Sequence, residues 1–466
     1  MPSEIVQIIR GKGEKEMGTE ATANDRGDSV RFFPIFFVAS IATMADYAGI
    51  ILDETVAGNL FDDAAFAAIN LLEPYTLFVT YASYLILAGA ALIARAHSAN
   101  DKSTVQGLFN HCVTCSLVVG ALFFAVYTLF DAELVKSVAD DSLAYSYAMD
   151  AFIGVRYTIL FIPLYNFFYT FVLYMGGTKV AFAASAIDLT LHGVLAVMLG
   201  NQLGVMGVPL ASAISEIVAT LWLLGYIVYK SYWKAYRPFF RFSYLKSTVS
   251  LGIPESMVFL ATGFLEVVVN ALALRYYSIA GVVVAAVVIN VFEIVGYISE
   301  GVTEYETVAM NRALGERNPE TLRYVMKITF RALFIESILF SVLFVVAAPY
   351  IIGIFDIDDA ATAENAANAV RIMALSTIPI IMARVTTIFD QYTEKIGRAT
   401  ILLLMAYGLV PAALVYLLGG ISIECMTLAI AVGPAVLIAA VWIFGRPNKT
   451  NKVSLHRMTV IIGDDF

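Results

Sequence analysis

The chain has 466 residues, of which 60% are hydrophobic and only 14% are charged, and its formal net charge is −9. This composition excludes a soluble globular protein, because a soluble domain of this length could not bury so much apolar surface. It also leaves no basic surface for nucleic acid beyond the short inner loops identified below. The sequence therefore predicts a polytopic membrane protein whose main partner is the lipid bilayer.

Residues 1–30 mix charges of both signs with Gly, Ser and Thr and lack the apolar core of a signal peptide, so they are predicted to be a disordered cytoplasmic tail. Twelve apolar segments follow, each long enough to cross a bilayer at about 20 residues per span. Helices are expected throughout, because lipid offers the backbone no other hydrogen-bond partner. The predicted spans are 33–57, 65–94, 106–130, 144–174, 180–200, 206–230, 248–275, 281–310, 322–349, 365–391, 398–419 and 423–444.

The charges of the connecting loops orient these spans. The connection at 230–247 carries five basic residues and no acidic one, which places it in the cytoplasm. The connection at 355–364 carries four acidic residues and no basic one, which places it outside. Both termini then lie in the cytoplasm, and the predicted location is the plasma membrane of a bacterium. The predicted units are a first lobe at 31–230, a basic linker at 231–247, a second lobe at 248–445 and a cytoplasmic tail at 446–466.

Two segments indicate an internal repeat. LAGAALIARAHSANDKSTVQG at 87–107 and TEYETVAMNRALGERNPETLR at 303–323 superpose with an offset of 216 residues, each as the end of an apolar span and its inner loop. Repeated halves joined by a long inner loop are typical of secondary transporters, which bind their cargo near the bilayer midplane.

Five stretches, taken in order and spacing, carry a family resemblance. They are LDETVAGNLFDDAAFAAINLLEP (52–74), MGGTKVAFAASAIDLTLHG (175–193), LGVMGVPLASAISE (203–216), SEGVTEYETVAMNRALGERN (299–318) and FDQYTEKIGRA (389–399). They resemble the first external turn, the helix four-to-five turn, the entry to helix six, the end of helix eight and the helix ten-to-eleven turn of the multidrug and toxic compound extrusion (MATE) family, prokaryotic type. The resemblance covers about residues 34–445.

This resemblance implies an all-α polytopic membrane protein with 12 transmembrane helices, arranged as two pseudo-symmetric six-helix lobes that form a V around a central cavity. It also implies a secondary antiporter that exports bulky, often cationic organic compounds in exchange for protons or sodium. We expect a monomer with no enzymatic activity, no bound metal and no cofactor besides the coupling ion.

The first lobe contains charged residues at membrane depth, where charge is costly and usually functional. Asp53 lies in the outer part of the first span, and Asp188 and His192 lie four residues apart on the fifth, hence on one helix face. In many family members an Asn and an Asp occupy this face, so the sequence matches in position but differs in type. We predict a cation-coupling site made of Asp53, Asp188 and His192, with Asn166 or Tyr165 as hydrogen-bond partner. The competing interpretation is a static ion pair that fixes the fifth helix to a neighbour.

The second lobe carries two stripes of acidic and polar residues. The seventh span has Glu255, Thr262, Glu266 and Asn270 at spacings of 7, 4 and 4, and the eighth has Glu293, Tyr297, Glu300 and Glu304 at spacings of 4, 3 and 4. Part of the family has a coupling Glu where this chain has Thr262. Carboxylates and aromatic rings attract organic cations, and basic residues such as Arg384 could neutralise some of the acids. The predicted substrate-binding residues are Glu255, Glu266, Glu293, Tyr297 and Glu300.

Three other functions compete with export of cations. A flippase for a lipid-linked precursor would need a basic cavity for its pyrophosphate, whereas acids outnumber bases in these spans. A membrane-embedded transferase would need a metal-binding acid cluster, and the stretches DDAAF at 62–66 and DDAAT at 358–362 lack the second acid. A structural scaffold would have no use for charges within the membrane.

Overall fold

The computed structural model of the protein describes residues 32–138, 142–231, 237–353, 359–392 and 395–444. The two predicted tails, 1–30 and 446–466, lie outside these ranges. The described chain forms helices α1 (Phe32–Leu60), α2 (Asp63–Ser98), α3 (Lys102–Leu129), α4 (Asp131–Val138), α5 (Ser142–Tyr174), α6 (Thr178–Leu203), α7 (Gly207–Tyr229), α8 (Phe242–Gly315), α9 (Pro319–Ile352), α10 (Ala360–Met373), α11 (Thr377–Tyr392), α12 (Ile396–Leu404), α13 (Val410–Leu418) and α14 (Ile423–Phe444).

These helices confirm the predicted all-α class. Ten helical segments of the described chain are long and apolar enough to cross a membrane, and two shorter apolar stretches, Phe32–Thr43 and Ile423–Ile438, lie in the first and twelfth predicted spans. The tenth span consists of α10 and α11 joined by a short 3-10 turn, and the eleventh consists of α12 and α13 joined by a π-helical turn. The short helix α4 lies in the connection between the third and fourth predicted spans.

The seventh and eighth predicted spans share one helical element, α8, which is 74 residues long. The chain nevertheless reverses direction within it, because Arg384 contacts both Glu255 and Glu300, which a straight helix would hold about 68 Å apart. A side-chain carbon at Gly281 would lie 3.0 Å from the carbonyl oxygen of Ala273, so the tight bend requires glycine there. Thus α8 is a hairpin with antiparallel arms. It begins at Phe242, inside the predicted linker.

The hydrophobic core shows how the lobes meet. The first lobe comprises α1–α7 and the second comprises α8–α14. One cluster of buried residues draws on both lobes, near Ile35, Ala91, Phe171, Val308 and Ile388. This cluster lies at the end of the molecule that carries the α2–α3 and α8–α9 turns, which we name the inner end and which is predicted to be cytoplasmic.

At the opposite end the lobes have separate cores. One cluster contains only first-lobe residues such as Leu72 and Phe152, and another contains only second-lobe residues such as Leu265 and Phe292. The lobes therefore join at the inner end and separate towards the outer end. The two lobes thus form a V that opens away from the inner end.

The internal repeat is visible in the two inner turns. Asn100 and Arg317 both adopt positive φ, 57° and 54°. The next residue in each turn begins a helix: Asp101 accepts a hydrogen bond from a backbone N–H of α3, and Asn318 does so in α9. The structural offset between the repeats is therefore 217 residues. The sequence superposition, with its offset of 216 residues, was therefore wrong by one residue. It matched similar side chains in the two loops but did not match the ends of the helices.

Candidate functional site

Three helices of the first lobe meet at a cluster of Asp53, His192 and Ser212. His192 Nε2 lies 2.7 Å from Asp53 Oδ1 and 2.9 Å from Ser212 Oγ, and Ser212 Oγ donates to Asp53 Oδ2 at 3.3 Å. The imidazole is 9% exposed and the Asp53 side chain 16%. Gly49 of α1 also packs beside the imidazole, where an added Cβ would lie 3.6 Å from Nδ1.

The same heavy-atom positions accommodate the proton on either partner. With the proton on the ring, His192 donates to the Asp53 carboxylate and Ser212 donates to the second carboxylate oxygen. With the proton on Asp53, the carboxyl group donates to a neutral imidazole nitrogen. The geometry of the pair is therefore compatible with a proton on either side chain.

Asp188 forms a second branch of this network. It accepts a hydrogen bond of 2.6 Å from Ser215, and Ser215 also reaches the carbonyl oxygen of Ser212 at 3.0 Å. Asp188 and His192 thus lie on one face of α6, but His192 pairs with Asp53 on α1 while Asp188 pairs with α7. The predicted partner Asn166 is half-buried on α5 and makes no hydrogen bond to the cluster among the described residues.

The second lobe holds a buried arginine between two predicted substrate-binding residues. Arg384 of α11 donates to Glu255 at 2.5 Å and to Glu300 at 3.0 Å, one from each arm of the α8 hairpin. The Arg384 side chain is 8% exposed, and the glutamates are 20% and 23% exposed. Two carboxylates and one guanidinium leave a single net negative charge if all three are ionised.

The remaining second-lobe predictions fall in different surroundings. Glu266 is exposed, which leaves its carboxylate accessible. The side chains of Glu293 and Tyr297 lie outside the described part of the structure. Thr262, at the position of the family's coupling Glu, is buried and donates to the carbonyl oxygen of Val258.

Glu304 makes a contact that crosses between the lobes. It accepts a 2.5 Å hydrogen bond from the hydroxyl of Tyr174, the last residue of α5. Glu304 lies one helical turn after Glu300, the partner of Arg384. Its contact with Tyr174 therefore joins the acidic stripe of α8 to the first lobe. Sequence reasoning missed Tyr174, because an aromatic residue at a helix end is usual in any membrane protein.

Sequence reasoning also missed Ser212 and Ser215. The signal available was their spacing of three within GVPLASAISE, which puts both hydroxyls on one face of α7. Small residues in membrane helices usually serve close packing, and that role masked their hydrogen bonds to Asp53, His192 and Asp188.

The chain was compared with known protein families and proteins. Residues 254–417 match the sequence model of the MatE family. The chain is 22% identical over 360 residues to the probable multidrug resistance protein NorM of Photorhabdus laumondii subsp. laumondii, covering 74% of this chain and 75% of that protein.

Solved structures show the same fold over nearly the whole chain. A crystal structure of MATE in the bent conformation superposes with a TM-score of 0.81 at 18% identity and covers 92% of this chain and 95% of its own. An outward-facing conformation of a multidrug resistance MATE family transporter of the MOP superfamily also gives 0.81 at 18% identity, covering 96% and 100%. A MOP superfamily transporter from Pyrococcus furiosus, described as having a binding pocket of reverse polarity, gives 0.80 at 18% identity, covering 96% and 100%. The predicted fold, with twelve spans in two lobes, is confirmed.

Proposed function

We propose that the chain, which shares the MatE family match and the fold of MATE transporters, is an antiporter that exports organic compounds in exchange for protons by alternating access. We further propose that it works as a monomer in the plasma membrane with both termini in the cytoplasm. The observation that carries the proposal is the hydrogen-bonded cluster of Asp53, His192 and Ser212.

The chemistry of the cluster favours protons over sodium. Hard cations such as sodium prefer a shell of several oxygen ligands. Here a ring nitrogen lies 2.7 Å from Asp53 Oδ1, the position that a sodium ion bound to this carboxylate would need. A proton needs only the pair itself. Asp53 lies in the part of α1 beyond the core shared by the lobes, which supports the proposal that the cluster takes up protons from the outer side.

The second lobe supports a cationic substrate. Glu266 is exposed, and Glu255 and Glu300 place two carboxyl groups beside the single guanidinium of Arg384. An organic cation that enters between the lobes would compete with the guanidinium for these carboxylates. The multidrug resistance of the NorM relative agrees with bulky cargo. The acidic residues of the second lobe argue against the anionic cargo of a flippase.

Efflux of a fluorescent organic cation from proteoliposomes tests this function, first under an imposed pH gradient and then under a sodium gradient. We expect proton-driven efflux that is lost in Asp53→Asn and His192→Ala and slowed in Ser212→Ala. Asp150→Asn is the matched control, since it removes an exposed carboxylate of α5 and is expected to transport normally.

Other outcomes would contradict the proposal in distinct ways. Efflux driven only by sodium would refute proton coupling. Proton-driven efflux that survives the first-lobe changes but is abolished by Glu266→Gln or Glu300→Gln would move the coupling site to the second lobe. A static Asp53–His192 pair predicts a pH-independent rate. No efflux under either gradient would refute export of cations and favour the flippase.

A further inference from the structure

Two arginines at the inner end reach across from one lobe to the other and bind the end of a helix there. Arg95 of α2 donates through Nη2 to the carbonyl oxygen of Tyr392 at 3.0 Å. Arg312 of α8 donates through Nη2 to the carbonyl oxygen of Tyr174 at 2.6 Å. Each arginine belongs to one lobe and each carbonyl to the other.

These contacts are related by the internal repeat. Arg95 and Arg312 are 217 positions apart, the same offset as the inner turns, and each precedes the last residue of its helix by three. Tyr174 and Tyr392 are the last residues of α5 and α11. The same contact is therefore made twice. In each case an arginine of one lobe donates to the last carbonyl group of a helix in the other lobe.

The contact is physically favourable at such a place. The last carbonyl groups of a helix lack partners within the helix, and the helix dipole gives that end a partial negative charge. A guanidinium is ionised at every physiological pH and offers several donors in one plane. Each contact is thus a charge-assisted hydrogen bond to a group that would otherwise need water.

Two further bonds strengthen the same seam. Arg95 Nε donates to Asn311 Oδ1 at 3.1 Å, and the hydroxyl of Tyr174 donates to Glu304. The backbones approach closely, since a side-chain carbon at Gly315 would lie 2.3 Å from the carbonyl oxygen of Arg95. All of these residues lie at the inner end, where the lobes share one core.

We propose that Arg95 and Arg312 form a reciprocal lock that holds the inner end closed while the cavity faces outward, and that both contacts must break before the inner end opens. They are positioning residues for transport, since they set the population of the two states and do not touch the cargo. The proposal rests on the alternating access of the proposed function, but its test needs neither a coupling ion nor a substrate.

The test is the distance between spin labels on the two lobes, measured by pulsed electron paramagnetic resonance. Exposed positions Lys102 and Glu320 carry the labels in a protein whose three cysteines are replaced by alanine. We expect the short distance to predominate, with a minor long one, in the otherwise unchanged protein. Arg95→Ala and Arg312→Ala should each shift the ratio of short to long distances about tenfold towards long, which corresponds to about 1.4 kcal/mol, and the double variant should shift it further.

Arg323→Ala is the matched control, because Arg323 is an exposed arginine of α9 at the same end and makes no contact across the lobes in the described residues. An unchanged ratio in the double variant, or an equal shift in Arg323→Ala, would overturn the lock. If the alanine variants fail to fold, Arg95→Lys and Arg312→Lys keep the charge but lose the planar group. Lysine variants that both match the parent would also contradict the proposal.

Transport assays separate this proposal from the proposed function. A protein whose label distances respond to Arg95 and Arg312 but which exports no cation would refute the export proposal and retain the lock. A protein that exports cations under a pH gradient but shows no response in its distances would do the reverse.

Discussion

Replacing Arg384 by leucine is expected to destabilise the second lobe severely. The substitution removes the guanidinium that lies between Glu255 and Glu300 and leaves two carboxylates facing each other. All three side chains are more than three-quarters buried, so water replaces little of the lost interaction. Breaking a buried ion pair by removing one partner costs about 3–5 kcal/mol.

A less buried ion pair of the same chain provides the comparison. Arg156 contacts Asp131 at 3.3 Å near the outer end, and the two side chains are 14% and 33% exposed. Because Arg156 neutralises one carboxylate that water partly reaches, whereas Arg384 neutralises two more buried ones, Arg156→Leu should cost clearly less than Arg384→Leu. The free energy of unfolding of both variants is measured in mixed micelles with increasing denaturing detergent.

A rescue distinguishes lost charge balance from lost packing. In the triple variant Arg384→Leu, Glu255→Gln, Glu300→Gln no carboxylate is left unpaired, and we expect most of the lost stability to return. Equal losses for Arg384→Leu and Arg156→Leu, or no recovery in the triple variant, would refute the reasoning that Arg384 acts as the counter-ion of the hairpin.

Two smaller perturbations follow from local geometry. Gly301→Ala should cost about 1–3 kcal/mol of stability, because the new side-chain carbon would lie 2.1 Å from Ser40 Oγ on α1. The control Gly263→Ala places its carbon in open space and should be neutral or gain up to about 1 kcal/mol. Equal thermal unfolding of the two variants in detergent would contradict the predicted clash. Hydrogen bonds from Thr104 lower the pKa of Asp101 to about 2, so its stabilisation of the first turn of α3 is complete above the usual carboxylate range and is lost as pH falls through about 2. Hydrogen exchange of that turn should therefore differ between wild type and Asp101→Ala at pH 5, with the difference shrinking towards pH 2, and a constant difference would show that Asp101 does not act as a charged cap.

The positions of the spans could be predicted from the sequence because lipid offers no hydrogen-bond partners, so the backbone of each span must form a helix. Each apolar run of sufficient length had to be a helix, and the structure places a helix at each. What hydropathy could not show is the reversal within α8. Helical geometry continues through the bend near Gly281, and only the meeting of Glu255 with Glu300 across Arg384 reveals it.

The candidate site was predicted in part for a similar reason. A charge at membrane depth needs a partner, so Asp53, Asp188 and His192 were expected to lie together. The choice of partner depends on the rotation of α1 and α7 about their axes, which single-helix periodicity does not contain. His192 therefore pairs with Asp53 and not with Asp188, whose spacing of four had suggested the pair.

The second-lobe residues show the same limit. That an arginine would neutralise acids followed from the cost of buried charge. That Arg384 would bind one glutamate from each arm of α8 depends on the packing of α11 against the hairpin, a contact between residues as far as 129 positions apart. Sequence patterns within one helix carry no information on such contacts.

The position of Arg384 in the chain has a consequence for biogenesis. The ribosome makes Glu255 129 residues before Arg384, and Glu300 84 residues before it. At about 5–20 residues per second, the first of these glutamates precedes its counter-ion by about 6 to 26 seconds. During that interval neither glutamate has the guanidinium that it contacts in the finished structure. The charge balance of the second lobe is therefore established only once α11 has been made.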